Sequence, residues 1–194
     1  MLDRRAFMVK QEVRLMQVRG KYGIFCAETG EELGRAEEKV GGIDMVLRLL
    51  INKRLLPATF HIFDNEDDVN PIMTIKRGMA IFRSKVTLTD GDGVVIGSFK
   101  SKVLSIGGGF YVLNAEGVQI AEVNGDWKGW NFRMIAENGK EIGTVSKKWA
   151  GALKEIFTQA DNYVIQLDES VGSNQTAVRL LLAAGLAVDM IYKE

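Results

Sequence analysis

The stretch that decides the fold is the last one, 176-TAVRLLLAAGLAVDMIYKE-194, in which Leu180 to Val188 are nine consecutive apolar or small residues between Arg179 and Asp189. A helix crossing the hydrocarbon core needs about 20 mainly apolar residues. Ala177 to Tyr192 would reach only about 24 Å as a helix, and they include both Arg179 and Asp189, so no transmembrane segment is expected here. Nor can the run lie on a surface, because a surface helix carries one apolar stripe and one polar face. Leu180, Leu181 and Leu182 point in three directions at about 100° per residue. Such a helix has to be surrounded by protein.

The wrapper is legible upstream as a recurring phrase: TGEELGRA, DGVVIGSF, EGVQIAEV and NGKEIGTV. Each places a turn glycine (Gly30, Gly93, Gly117 or Gly139) four residues before a second small residue (Gly34, Gly97, Ala121 or Gly143). A tight hairpin needs a residue that accepts positive φ, and the second small residue lets a strand bend or a backbone come close. The flanks GIFCAETG, SKVTLTDGDG, GGFYVLNAEG and WNFRMIAENG are rich in β-branched and aromatic residues, which suits strands entering the turns. A looser fifth copy is TFHIFDNEDDVNPIMTIKR. About two dozen residues between the last three turn glycines, Gly93, Gly117 and Gly139, is too short for strand–helix–strand crossovers and suits antiparallel hairpins. Five hairpins supply ten or more strands, and closing them removes the exposed edges. A barrel of that size leaves a lumen its side chains fill poorly. The terminal helix fills it. The expected fold is therefore all-β with a central helix, a single domain over residues 1–194.

Two further helices are candidates. In SKKWAGALKEIFTQ, Trp149, Leu153, Ile156 and Phe157 share one face, which predicts an amphipathic helix packed on the barrel or across a mouth. GGIDMVLRLLINKRLL, opened by Gly41 and Gly42 and closed by Pro57, is open to strand, lid or lipid-facing helix.

Composition limits the functions. Lys plus Arg and Asp plus Glu are 25 each in 194 residues, a formal charge of zero, so any attraction to an anionic partner must come from a local patch. The single cysteine, Cys26, excludes an internal disulfide framework and a multi-thiolate metal site. The N-terminal MLDRRAFMVKQ has no apolar stretch of signal length, and a cytoplasmic location is expected.

The segment from Ile142, IGTVSKKWAGALKEIFTQADNYVIQLDES, with the apolar end VDMIYKE, resembles the phospholipid scramblase family and its relatives, the LURP-one-related and Tubby-like C-terminal domains. The matching features are KKWAG, EIFTQADNYVIQ and an acid shortly before the last aromatic. The resemblance implies a barrel of about twelve strands around a hydrophobic C-terminal helix, and a non-enzymatic role at phospholipid. It also implies a calcium-binding stretch after FT, onto which Asp161, Asp168 and Glu169 fall. Gln159 and Ser170 stand where that stretch has acids, and three acids make a poor calcium site, so no cofactor is expected.

No constellation for catalysis is visible. His61 alternates with Phe60 and Ile62 as a strand residue, and Cys26 reads as a small hydrophobe in a strand. The acidic runs at Asp64 to Asp68 and Asp90 to Gly93 fit solvated turns rather than metal loops. SIGGGFYV lacks the lysine and helix of a phosphate loop. GDWKGWNFRM interleaves Trp127, Trp130 and Phe132 with Lys128 and Arg133, but zero net charge and the hairpin context favour cross-strand packing over nucleic acid.

The most informative polar feature is a duplicated phrase, FRSKV at 82–86 and FKSKV at 99–103. Residues two apart on a strand share a face. A hairpin through TLTDGDGVVIGS would gather Arg83, Lys85, Lys100 and Lys102 into one patch, extended by Lys76 and Arg77. The expected partner is anionic phospholipid at a membrane surface. The alternative is a scaffold or regulatory domain that binds a protein partner.

Overall fold

The computed structural model describes residues 1–12, 20–39, 56–65, 68–78, 85–102, 108–126, 128–147, 162–172 and 174–192. The strands are β1 (Ala6–Gln11), β2 (Lys21–Cys26), β3 (Glu32–Glu38), β4 (Ala58–Phe63), β5 (Met73–Arg77), β6 (Lys85–Asp90), β7 (Val95–Ser101), β8 (Gly109–Asn114), β9 (Gln119–Asp126), β10 (Asn131–Ala136), β11 (Glu141–Ser146) and β12 (Asn162–Leu167). Every neighbouring pair is antiparallel, and β1 pairs with β12 to close a barrel of twelve strands. The helix α1 (Gln175–Tyr192) follows a short 3-10 turn at Glu169–Val171. The helices expected over 146–159 and 41–56 lie almost entirely outside the described residues.

The four repeated phrases form the hairpins β2–β3, β6–β7, β8–β9 and β10–β11. Their turn glycines all take positive φ, between 76° at Gly30 and 83° at Gly93. The second small residue marks a β-bulge in each. Ile24 pairs with Gly34 and Phe25 with Glu32, so Leu33 is the extra residue. Ile96, Ile120 and Ile142 are skipped in the same way. A bulge sharpens the local twist and re-aims a side chain. Here it turns four apolar residues onto the core: Leu33 is buried in it, and the three isoleucines pack against it. The internal repeat thus closes one mouth of the barrel around the helix.

Inside, strand side chains and helix are matched in size. Phe7, Phe99, Phe110, Phe132 and Tyr163 are fully buried, as are Leu182, Ala183, Ala184, Ala187 and Val188 of α1. Large groups come from the wall, and small ones let the helix fit between them. Gly185 is the tightest fit, since a Cβ there would lie 2.4 Å from Ile165 Cδ1. The chain leaves β12 at the end that bears the tight hairpin turns, where α1 enters. Leu180 lies against Gly97 at that end, and Asp189 reaches Tyr22 of β2 at the opposite end. The longer connections leave from this second end.

Candidate functional site on the outer face of strands β3 to β7

Strand register brings two of the expected cations face to face. Lys85 on β6 is the direct cross-strand partner of Lys100 on β7, and both are exposed. Like charges directly opposite disfavour pairing, so their mutual repulsion favours an anion between them. Lys76, exposed on β5, pairs with Thr87 of β6 and with Thr59 of β4. The amide of Lys39, just beyond β3, donates to the Thr59 carbonyl at 2.8 Å. Lys39, Thr59, Lys76 and Thr87 therefore form one row across four strands, with Lys85 and Lys100 in the next row. Among the described residues no carboxylate lies within ion-pair distance of these four lysines.

The other expected members are placed differently. Lys102 is largely buried, its Nζ donating to Glu122 Oε2 at 2.6 Å and Asn124 Oδ1 at 2.5 Å, above the Tyr111 ring. Hydrogen bonds from Lys102 and Asn124 hold the Glu122 carboxyl below the usual range. Its charge is already matched, and it flanks the open lysines. Arg77 shares the inward face of β5 with Met73 and Ile75, is 3% exposed and donates to the Leu56 carbonyl at 3.2 Å. Arg83 lies outside the described residues.

His61, two residues beyond Thr59 on β4, sits in the adjacent row on the side away from Lys85 and Lys100. Its Nδ1 is 3.0 Å from Thr74 Oγ1, and it pairs with Glu37 on one side and Thr74 on the other. Burial lowers its pKa, with Lys39 and Lys76 adding to the effect and Glu37 opposing it. The lysines thus impose a positive potential at this ring. Glu37 counters it weakly, because Lys21 at 3.1 Å and Arg35 at 3.0 Å already hold its carboxylate. Cys26 lies in the core, with its side chain on the inner surface of the wall, so it does not face His61.

Charge is segregated along the barrel axis. The tight turns carry Asp90, Asp92, Glu116 and Glu137, beside the exposed Val69, Val94 and Val118. The lysine face lies towards the other end. A formal charge of zero therefore conceals a polarised molecule.

Of the acids in the calcium-like segment, Asp168 and Glu169 fall at the start of the 3-10 turn. Asp168 caps the 3-10 turn, accepting from Ser170 N at 2.9 Å and from the Ser170 hydroxyl, and it pairs with Lys140 at 3.2 Å. Asp161 lies outside the described residues. No group of three His, Cys, Asp or Glu side chains that could hold a metal ion occurs among the described residues. The aromatic residues of GDWKGWNFRM that are described pack inward, as expected: Phe132 is fully buried and Trp130 is 7% exposed, packed edge-on against Phe132 and Tyr163. Trp127 lies outside the described residues.

A closed antiparallel barrel wound around its own C-terminal helix, with an open lysine face, defines the class. The family model described as Scramblase matches residues 4–194, and the chain belongs to that family. The fold is similar to the X-ray structure of an Arabidopsis thaliana protein, with a TM-score of 0.53 and 14% identity over 96% of this chain and 90% of that one. No curated protein matches. No helix among the described residues is long and apolar enough to cross a membrane.

Proposed function

We propose that this protein is a non-catalytic module that docks peripherally on anionic phospholipid, with Lys85 and Lys100 as the central phosphate contacts, Lys76 beside them, Lys102 flanking, and Arg83 of the same sequence phrase as a further contact. The observation that carries the reading is the pair of exposed lysines set directly opposite each other, without a carboxylate partner among the described residues. Each lysine close to an anionic leaflet contributes about 1 kcal/mol, so four give a weak, reversible association. Charge interactions at an exposed face are screened beyond about 8 Å at physiological ionic strength, and the association is accordingly salt-sensitive. Binding rather than translocation is favoured because α1 fills the lumen.

Flotation with liposomes, with and without anionic lipid and at low and physiological salt, tests this. Binding should require anionic lipid and weaken with salt. Reversing the charge of the exposed Lys76, Lys85 and Lys100 together should abolish it with the melting temperature nearly unchanged; undiminished binding of a folded variant overturns the reading.

The acidic rim with exposed Val69, Val94 and Val118 supports a second reading, a regulatory domain that holds a basic protein segment. A stoichiometric protein partner recovered at physiological salt, together with a failure to float, would favour it.

A further inference from the structure

We propose that His61 is a proton-dependent member of the lipid-contacting face, its Nε2–H joining Lys39 and Lys76 around a lipid phosphate when the ring is protonated. This rests on the docking reading above and adds its regulation.

The geometry comes from the ladder. His61 lies diagonal to Lys39 across β3 and diagonal to Lys76 across β5, separations of about 7–8 Å. One phosphate is wide enough to approach all three. Nδ1 is engaged with Thr74, whereas Nε2 makes no hydrogen bond to any described residue. The groups facing the ring are Glu37 and Lys39 from β3, and Thr74 and Lys76 from β5, with Phe63 further along its own strand at 6.4 Å between ring centroids. Of the charged ones, Glu37 is held by Lys21 and Arg35, and the two lysines have no ion-pair partner among the described residues.

The free protein therefore disfavours the imidazolium, by half-burial and by two neighbouring cations. An anion between those cations reverses the second cause, since an opposite charge nearby favours the charged ring. Binding then takes up a proton, and by reciprocity a proton strengthens binding. The interval in which this operates lies around the ordinary histidine range, about pH 5.5 to 7. The same sequence that hides the effect makes it measurable, because His61 is the only histidine in the chain and its ring proton gives one resolved resonance.

The test uses the full chain and phosphatidylglycerol, whose phosphodiester keeps its charge throughout this range. The His61 ring is titrated by NMR with and without soluble short-chain phosphatidylglycerol, and vesicle affinity is measured at about pH 5.5 and about pH 8. The expected result is a rise in the His61 pKa of about one pH unit on binding, matched by about tenfold tighter binding at the lower pH. His61→Gln should bind at both pH values with the wild-type affinity of about pH 8. An unchanged His61 titration, or equal pH dependence in wild type and His61→Gln, overturns the inference while vesicle binding itself leaves docking intact. No flotation at either pH overturns the docking reading, and the inference with it.

Discussion

Tyr22 on β2 and Asp189 on α1, 167 residues apart in the chain, share a 2.6 Å hydrogen bond inside the barrel, where Asp189 is 1% exposed. The bond ties the far end of the apolar helix to the wall. It fixes the helix along the barrel axis, which non-directional apolar contacts do poorly. Tyr163 lies fully buried nearby, its hydroxyl pKa pushed up by burial and by the Asp189 charge.

Tyr22→Phe keeps the ring and removes the donor. Taking one partner from a buried acceptor costs about 1–3 kcal/mol. Urea unfolding followed by circular dichroism should show that loss, and an unchanged midpoint would mean that the bond does not anchor the helix.

Gly185→Ala sets two effects against each other. Helix propensity gains about 1 kcal/mol from the change, but the new methyl would meet Ile165 Cδ1 at 2.4 Å and Cγ1 at 2.6 Å, and overpacking costs about 1–3 kcal/mol. The expected outcome is net destabilisation in the wild-type background. In an Ile165→Ala background the same substitution should stabilise, and a double-mutant cycle reads the coupling.

Lys85→Glu should separate stability from binding. It converts a like-charge cross-strand pair with Lys100 into an attractive one, a gain of about 0.2–1 kcal/mol. The variant should melt slightly higher than wild type and float less with anionic vesicles. A variant that melts lower and binds equally well would contradict the role given to this pair.

Acid should weaken the 3-10 turn that leads into α1. Hydrogen bonds from Ser170, then Lys140, hold the Asp168 carboxyl down at about 2, against an ordinary 3.8. A depressed folded-state pKa contributes stability above the unfolded value, lost as pH falls through the folded one. Stability should therefore drop between about pH 4 and pH 2, and Asp168→Asn should remove part of that drop. Glu37 and Glu122, both lowered by lysine partners among other contacts, act in the same direction.

Much of the fold was readable because its signals are local. Gly30, Gly93, Gly117 and Gly139 announce hairpins through the φ they adopt, and Gly34, Gly97, Ala121 and Gly143 mark the bulges beside them. The site was readable only in part. The FRSKV and FKSKV repeat put Lys85 and Lys100 in one patch, yet it also enlisted Lys102, whose partners Glu122 and Asn124 come from β9, two strands away. Arg77 could have been excluded from the alternation of Met73, Ile75 and Arg77 on β5. The place of Lys39 and His61 depends on β3–β4–β5 register, across the 19 residues between β3 and β4, whose sequence names no partner.

By itself, then, the sequence determined the apolar terminal helix that must be enclosed, the hairpins that enclose it, and the closure their number demands. These follow from backbone conformation and the cost of exposing apolar surface, which act on each segment separately. Tertiary structure decided which cations remain open, which are matched by acids, and how charge divides between the two ends of a molecule with none overall. Those outcomes depend on pairing between strands, because electrostatic interaction is set by distance in space rather than by separation along the chain.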